Sequence, residues 1–401
     1  MKIPISISTR IQNPLSVKFL LCVILLEIFV GGGGRLIDIG PMSPRMILFG
    51  IGMAISVLLI LKPTAIDRNI FLVIAAATAC FLFSTTIGIV NGAEVSLLLL
   101  DIKQLFGFYS ILFFYFVIRN QDDVILVTRL IKFSACILAV AYLNILILIR
   151  VGIIAFLPFY NRASLTGEVF FRGESGFFYK GFVYICIGLL FFLTEAKSRK
   201  LIIALLATAI VLTFTRGFFI SILATYGFYH VFIRRNASKI LIFGAGAVIA
   251  LFSLWNLYYS KAFNRKQSDS VRLTQIEEVI SATTPVSFFI GHGFGNGVPS
   301  RPDRMEIVYL EAFHKQGLIG LLFWAGLLAV NWIYFKKANQ VNPTLAVPFV
   351  LASIFIYIQS FTNPYVNNPI GMTMVLLSIV CLRVIANQKP GVVELPAESG
   401  R

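Results

Sequence analysis

The sequence predicts an all-α, polytopic integral membrane protein with about twelve transmembrane helices. Hydrophobic residues make up 58% of the 401 residues, and only 13% of the residues are charged. A soluble domain carries about 25% charged residues, so a globular cytosolic enzyme is excluded. Each bilayer crossing needs about 20 mainly apolar residues, and apolar runs of about this length recur from one end of the chain to the other.

The predicted spans follow these apolar runs in chain order. They are 15–31, 45–61, 69–90, 100–118, 131–149, 178–194, 200–215, 217–233, 239–258, 310–335, 344–361 and 369–386. The first run follows Lys2, Arg10 and Lys18, as in a signal peptide, but no small-residue cleavage site follows it. We therefore interpret it as a retained helix. All five cysteines lie within predicted spans and are expected to be small buried hydrophobic residues.

Lysines and arginines in the short loops between spans predict the orientation of the chain in the membrane, because these residues favour the cytoplasmic side. The basic connections place both termini in the cytoplasm and turn two long loops, 150–177 and 259–306, outward. Residues 1–386 are predicted to form one membrane domain, and 387–401 a disordered cytoplasmic tail. Most of the net charge of +16 falls in the cytoplasmic segments. It therefore indicates orientation rather than an anionic partner, and no nucleic acid is expected to bind.

Charged residues within or beside the spans are candidates for function, because an arginine, lysine or aspartate at mid-helix costs about 2.5–3.5 kcal/mol to insert. Arg216, in Thr-Phe-Thr-Arg-Gly, lies at the outer end of a predicted hairpin. It is either an interfacial arginine that snorkels to the surface or a fixed guanidinium that suits a phosphate group. Structural ion pairs are expected for Glu27 and for Asp101, which we place near an interfacial helix start with Lys103.

The outer loop 259–306 contains two recognisable segments. Residues 270–280 form a passable amphipathic helix that includes Arg272, and Thr284-Pro285 ends it. Glycines at 291, 293, 295 and 297 then exclude a helix in Gly-His-Gly-Phe-Gly, which contains His292. The amide groups of such a turn could face an anion, although a plain glycine-rich turn is the preferred interpretation.

A third segment begins at Arg304 and enters the next span. Residues that recur every three or four positions are predicted to share one helix face: Glu306, Tyr309, Phe313, Gly317 and Gly320. Glu306 is then placed in the first turn of the helix, at the outer membrane edge, where a carboxylate also complements the helix dipole. His314 is expected to be a packing residue.

Three pieces of the sequence follow in a fixed order: Thr-Phe-Thr-Arg216-Gly, then the helix with Arg272 that leads to Gly-His-Gly-Phe-Gly, then the stretch from Glu306 to Gly320. This order resembles the O-antigen ligase and polymerase superfamily. The resemblance is densest over about 200–335. It implies a metal-independent GT-C-type glycosyltransferase without a cofactor, in the bacterial inner membrane. Its substrate would be a glycan carried by undecaprenyl diphosphate, which it would meet at the periplasmic face. Ligases of the superfamily typically have His-Asn where this chain has Glu306 and Ile307, so the chain looks more like the Wzy-type polymerases.

The resemblance also suggests roles for individual residues. Arg216 and Arg272 would stabilise the leaving diphosphate without a metal, and Glu306 would orient or deprotonate the acceptor hydroxyl. These three are the predicted catalytic residues. The predicted substrate-binding residues are Arg172, Lys180, Arg304, Tyr309 and His292.

Two alternative functions remain open at this point. A ligase would transfer the glycan to a different acceptor. A transporter or flippase of lipid-linked sugar would need charged residues along a central path through several spans, whereas the candidates here concentrate at the outer face. Whether a chain-length regulator is a further partner is not decided by the sequence.

Overall fold

The computed structural model describes residues 15–36, 42–60, 66–172, 176–195, 199–235 and 266–388. Their α-helices, in chain order, are α1 Leu15–Val30, α2 Pro44–Ile60, α3 Arg68–Val90, α4 Val95–Phe106, α5 Ser110–Val117, α6 Gln121–Arg150, α7 Phe156–Ser164, α8 Val183–Leu193, α9 Lys200–Leu212, α10 Arg216–Phe228, α11 Lys266–Ala282, α12 Pro285–Ile290, α13 Val308–Val341, α14 Pro343–Gln359 and α15 Pro369–Ala386. The described sheet is one antiparallel hairpin, β1 Val169–Phe171 with β2 Phe177–Tyr179. The predicted all-α class is thus confirmed.

Eleven of the twelve predicted spans coincide with described helices, and the ninth, 239–258, lies outside the described residues. Within the described part of the chain, six helical stretches are long and apolar enough to cross a membrane: Arg68–Val90, Val95–Val117, Gln121–Arg150, Arg216–Arg234, Val308–Val341 and Pro369–Ala386. Others, such as α2 and α14, are apolar but shorter. The helices therefore support a polytopic membrane protein, while the total of twelve spans stays a prediction.

Helix α15 lies at the centre of the bundle. It packs against α13, α14 and α5, and nearly all of its side chains are buried. Helix α8 is buried to a similar degree. Both helices are apolar on all sides, and such a helix is stable only where neighbours cover every face. On α8, Gly188 lies so close to Ala135 of α6 that an added Cβ would meet the Ala135 methyl group, a close approach typical of packed membrane helices.

One end of the bundle carries the turn 31–36, residues 151–172 and 176–179, residues 283–307 and the connection 360–368; we call it the loop face. At the opposite end, Asp67 caps α3 and accepts a hydrogen bond from Tyr334. Burial raises the pKa of this carboxyl, but hydrogen bonds from Tyr334 and Asn69 and the charge of Arg383 outweigh burial, so the pKa is lowered. Arg383 also lies 4.3 Å over the ring of Tyr115. This charge network joins α3, α13 and α15 at the end opposite the loop face.

Residues 291–297, which we call the glycine turn, fill a break in α13. At Gly317 the backbone of α13 has φ 65° and ψ −159°, which interrupts the helix. The amide of His292 donates to the His314 carbonyl at 2.8 Å, and the amide of Gly293 donates to the Lys315 carbonyl at 2.9 Å. These amides are used inside the protein, so the segment is a structural turn rather than a cradle for an anion.

Two local predictions are wrong. Helix α13 begins at Val308, so Glu306 precedes it instead of lying in its first turn. The amide of Glu306 donates to the Gln275 side chain and that of Val308 to the Ser360 carbonyl, so tertiary contacts hold this segment outside the helix. The break at Gly317 also prevents the predicted residues from sharing one continuous helix face. Apart from these two errors, the predicted outer loop 150–177 has secondary structure of its own, since α7 and most of the β-hairpin lie within it.

We expect Gly317→Ala to lower the free energy of unfolding by about 2 kcal/mol or more, because a residue with a Cβ is strained at this φ. The Cβ would also lie 2.4 Å from the Phe289 carbonyl carbon. Gly326→Ala in the same helix is the matched control, since its Cβ would meet nothing within 4 Å. Thermal unfolding in detergent measures both variants. Equal melting temperatures for Gly317→Ala and Gly326→Ala would contradict the conclusion that the helix break at Gly317 is tightly packed.

Candidate active site

Arg272 and Glu306 form an ion pair on the loop face. The Nε atom of Arg272 lies 2.9 Å from Oε2 of Glu306, and each side chain is about one quarter exposed (24% and 25%). A second arginine, Arg301, lies 3.7 Å from the other carboxylate oxygen. Arg272 also donates from Nη2 to the Thr362 carbonyl at 3.2 Å. The pair is therefore oriented by the protein yet accessible to a ligand.

Helix α11 positions both partners. Arg272 lies on this helix, and Gln275, three residues later, is fully buried and accepts the backbone amide of Glu306 at 3.1 Å. Because residues three apart lie on the same face of a helix, one surface of α11 presents the guanidinium and also fixes the backbone that carries the carboxylate.

Arg216 reaches the same region from another helix. It is the first residue of α10, and an added Cβ at the neighbouring Gly217 would lie 2.7 Å from the Thr362 hydroxyl. A cation at a helix N-terminus is unfavourable for the helix dipole. Phe214, two residues earlier, has φ 49°, a strained conformation for a residue with a side chain. Two locally unfavourable features therefore lie side by side at the start of α10.

The connection 360–368 links the two arginines and was missed by the sequence reasoning. Thr362 accepts from Arg272 through its carbonyl and packs against the Arg216–Gly217 turn through its hydroxyl. On the same side, Ser221 of α10 donates to the Gln359 side chain at 2.7 Å. The polar sequence Thr-Asn-Pro-Tyr-Val-Asn-Asn between two apolar spans was a usable signal. Thr362 thus contacts Arg272 directly and lies beside Gly217, the neighbour of Arg216, while Glu306 joins this region through its ion pair with Arg272.

Arg304 and Lys180, both predicted to bind substrate, share a second group of charges. The charges of Arg304, Arg35 and Glu168 all act on Lys180, so this group joins residues that are far apart in the chain. Burial lowers the pKa of Arg304, and three acidic side chains counteract this effect: Glu311, Asp101 and Asp303.

The other three predicted substrate-binding residues make packing contacts. The Arg172 guanidinium lies 4.9 Å over the Phe178 ring. The Tyr309 hydroxyl donates to the Tyr357 carbonyl at 2.6 Å. The His292 ring lies 4.5 Å from that of His314, and burial lowers the pKa of His292, which disfavours a cationic imidazole.

A cluster of three buried charges lies beside this site. Lys315 Nζ is 2.9 Å from both Asp101 Oδ1 and Glu311 Oε1, and all three side chains are at most 7% exposed. The expected structural pair of Asp101 is confirmed, with Lys315 as its partner, but Asp101 lies within α4 rather than near a helix start. The expected internal pair of Glu27 is confirmed, with Arg45 at 2.7 Å. The cluster could have been predicted from the sequence, because Glu311 and Lys315 lie four residues apart in an apolar helix, a spacing that brings opposite charges together.

A small cavity of about 30 Å³ adjoins this cluster. Its lining residues are Asp101, Gln104, Leu105, Phe294, Glu311, Ala312, Lys315, Gln316, Trp324 and Asn367. Among the described residues, no group of three or more histidine, cysteine, aspartate or glutamate side chains could hold a metal ion.

The two charge groups should differ in their effect on stability. We expect Glu306→Gln to change the free energy of unfolding by at most about 1 kcal/mol, because its ion pair is partly exposed. Lys315→Met should cost about 3–5 kcal/mol, because it leaves buried carboxylates without their counter-charge. Thermal unfolding of the two purified variants gives the comparison. A larger loss in Glu306→Gln than in Lys315→Met would contradict this difference.

Comparison with known proteins agrees with these features. No protein-family model matches the chain. An O-antigen polymerase of Shigella flexneri is 26% identical over 383 residues, which cover 92% of this chain and 96% of that protein. Together with the apolar helices, this similarity supports a multi-pass bacterial membrane protein. The resemblance that the three segments predicted, to the Wzy-type O-antigen polymerases, is therefore confirmed along nearly the whole chain.

Proposed function

We propose that this protein is a polymerase of O-antigen or a related surface polysaccharide. It joins oligosaccharide repeat units carried on undecaprenyl diphosphate, by metal-independent glycosyl transfer of the GT-C type. The observation that carries this proposal is the Arg272–Glu306 ion pair, which Thr362 holds through Arg272, beside the start of α10 that carries Arg216. The similarity to the O-antigen polymerase of Shigella flexneri supports the same reaction.

The proposed reaction uses one carboxylate as a general base and two arginines as a fixed source of positive charge. A hydroxyl of the acceptor sugar attacks the anomeric carbon of the donor, and the bond from that carbon to the diphosphate oxygen breaks. Glu306 takes the hydroxyl proton, a role typically worth about 10²–10⁴-fold in rate. The diphosphate leaves with the bonding electron pair, and the guanidinium groups of Arg216 and Arg272 stabilise its charge.

The Arg272–Glu306 ion pair fits this sequence of events. Without substrate, each partner neutralises the other across 2.9 Å. A diphosphate carries more negative charge than one carboxylate and suits the planar guanidinium fork. Its arrival draws Arg272 away from Glu306, and the released carboxylate can then accept the proton of the acceptor hydroxyl. Donor binding and activation of the base are thereby coupled.

A polymerase is preferred to a ligase because Glu306 and Ile307 occupy the positions where ligases typically have His-Asn. A transporter is disfavoured because the Arg216, Arg272 and Glu306 group lies at one end of the bundle, not along a path through it. The proposed location is the inner membrane, with twelve spans, both termini in the cytoplasm and the loop face in the periplasm. A chain-length regulator is a possible partner for which no residues are assigned.

Purified protein in detergent should elongate undecaprenyl-diphosphate-linked repeat units, whereas a transporter would leave them unchanged and a ligase would require another acceptor. We expect Glu306→Gln and Arg216→Ala to reduce the rate about 100-fold or more and to abolish long surface polymer on gels.

The matched controls for these two variants are Glu277→Gln and Arg150→Ala, which alter exposed residues outside the site. Membrane fractionation confirms insertion of every variant. Undiminished chain length in both Glu306→Gln and Arg216→Ala would overturn the proposed roles.

The proposed orientation makes a separate prediction. After replacement of the native cysteines, Pro299→Cys on the loop face should react with a membrane-impermeant maleimide in spheroplasts. Lys337→Cys, near the opposite end of α13, should react only after permeabilisation. Both side chains are exposed, so access depends on the membrane alone. The reverse pattern of labelling would invert the topology.

A further inference from the structure

Lys315 holds together parts of the chain that are far apart in sequence. Its ammonium group donates three hydrogen bonds, to Asp101 at 2.9 Å, to Glu311 at 2.9 Å and to the Asp303 carbonyl at 3.1 Å. The acceptors lie on α4, on α13 and on the connection that leads to Glu306. An ammonium has three N–H donors, so this lysine uses all of them within the protein.

The two carboxylates extend these contacts to the site. The second oxygen of Asp101 accepts the amide of Gly295 at 2.8 Å, which fixes the glycine turn. The second oxygen of Glu311 accepts the Asn367 side-chain amide at 2.9 Å. Asn367 belongs to the connection 360–368, which also contacts Arg272. One lysine is therefore connected to the segment that carries Glu306 and to the connection that contacts Arg272.

A purely stabilising role explains this cluster poorly. Burying charges is costly, and apolar residues of similar volume often give equal or better stability than a buried ion pair. Charged residues at membrane depth more often mark a function. The adjoining cavity, at about 30 Å³, has room for a water molecule or two rather than for a sugar ring, so it is not a glycan subsite.

We propose that Lys315 is a positioning residue for the polymerisation reaction, an inference that rests on the proposed function. Through the Asp303 carbonyl it places the short connection that ends in Glu306, three residues further on. Through Glu311 and Asn367 it places the connection 360–368, on which Arg272 rests. Lys315 sets the distance between carboxylate and guanidinium without touching substrate.

The test compares Lys315→Met with Lys337→Met, the same change at an exposed position near the far end of α13. With purified protein and a lipid-linked repeat unit, we expect kcat to fall about 10- to 100-fold in Lys315→Met, because small misplacements of catalytic groups have effects of this size. The KM should change less than about threefold, since the arginines remain. Lys337→Met should match the wild type.

A double-variant measurement tests whether Lys315 acts through Glu306. In a Glu306→Gln background, Lys315→Met should reduce the residual rate by less than about twofold, because the group that it positions is already inactive. An equal loss in both backgrounds would show independent effects and would overturn the proposal.

A triple variant separates positioning from folding. Lys315→Met combined with Asp101→Asn and Glu311→Gln removes all three charges of the cluster and keeps Asp303 as a counter-charge for Arg304. An inserted but slow triple variant supports the proposal, and wild-type polymerisation overturns it. Failure of both the single and the triple variant to insert also counts against it, since the cluster would then be a folding requirement. An inactive wild-type protein would instead refute the proposed function itself.

Discussion

Every backbone carbonyl buried in an apolar bundle needs a hydrogen-bond donor, and this constraint governs the loop face. Helix α13 breaks at Gly317, and the carbonyls of His314 and Lys315, just before this break, bond to donors from outside the helix. The glycine turn supplies these donors and is thereby inserted between α3, α4 and α13. Its position allows Asp101 to accept an amide of the turn while pairing with Lys315. The geometry around Glu306 follows from this arrangement.

The structure contains two groups of charged side chains that differ in solvent exposure. The exposed group can exchange its ion-pair partners, and the buried group cannot. Arg272 and Glu306 are one quarter exposed, so a multiply charged anion can compete for the guanidinium. Asp101, Glu311 and Lys315 are almost fully buried, and removing one of them leaves the others unpaired. In the proposed reaction, the exposed pair lies at the reacting atoms and the buried cluster is the rigid frame that holds it. The connection 360–368 contacts both and couples one to the other.

Much of the helical framework could be predicted, because long apolar runs admit few alternatives. The segment around Glu306 could not. Its spacing with Tyr309 fits a helix face, yet the amide of Glu306 bonds to Gln275, and the helix starts only at Val308. Asp101 likewise has Lys103 two residues away in sequence, but two residues apart on a helix do not face each other. Its partner is Lys315, more than 200 residues away.

The sequence by itself determined the class of protein, most helix positions and the residue types suited to a diphosphate and a hydroxyl. These properties depend on composition and local periodicity, which are contained within short windows of the chain. Only the tertiary structure decided which arginine pairs with Glu306 and that Thr362 joins α10 to α11. It also revealed that the glycine amides are consumed within the protein. These features depend on contacts between distant segments, because hydrogen bonding and charge neutralisation in a buried site are satisfied by spatial rather than sequence neighbours.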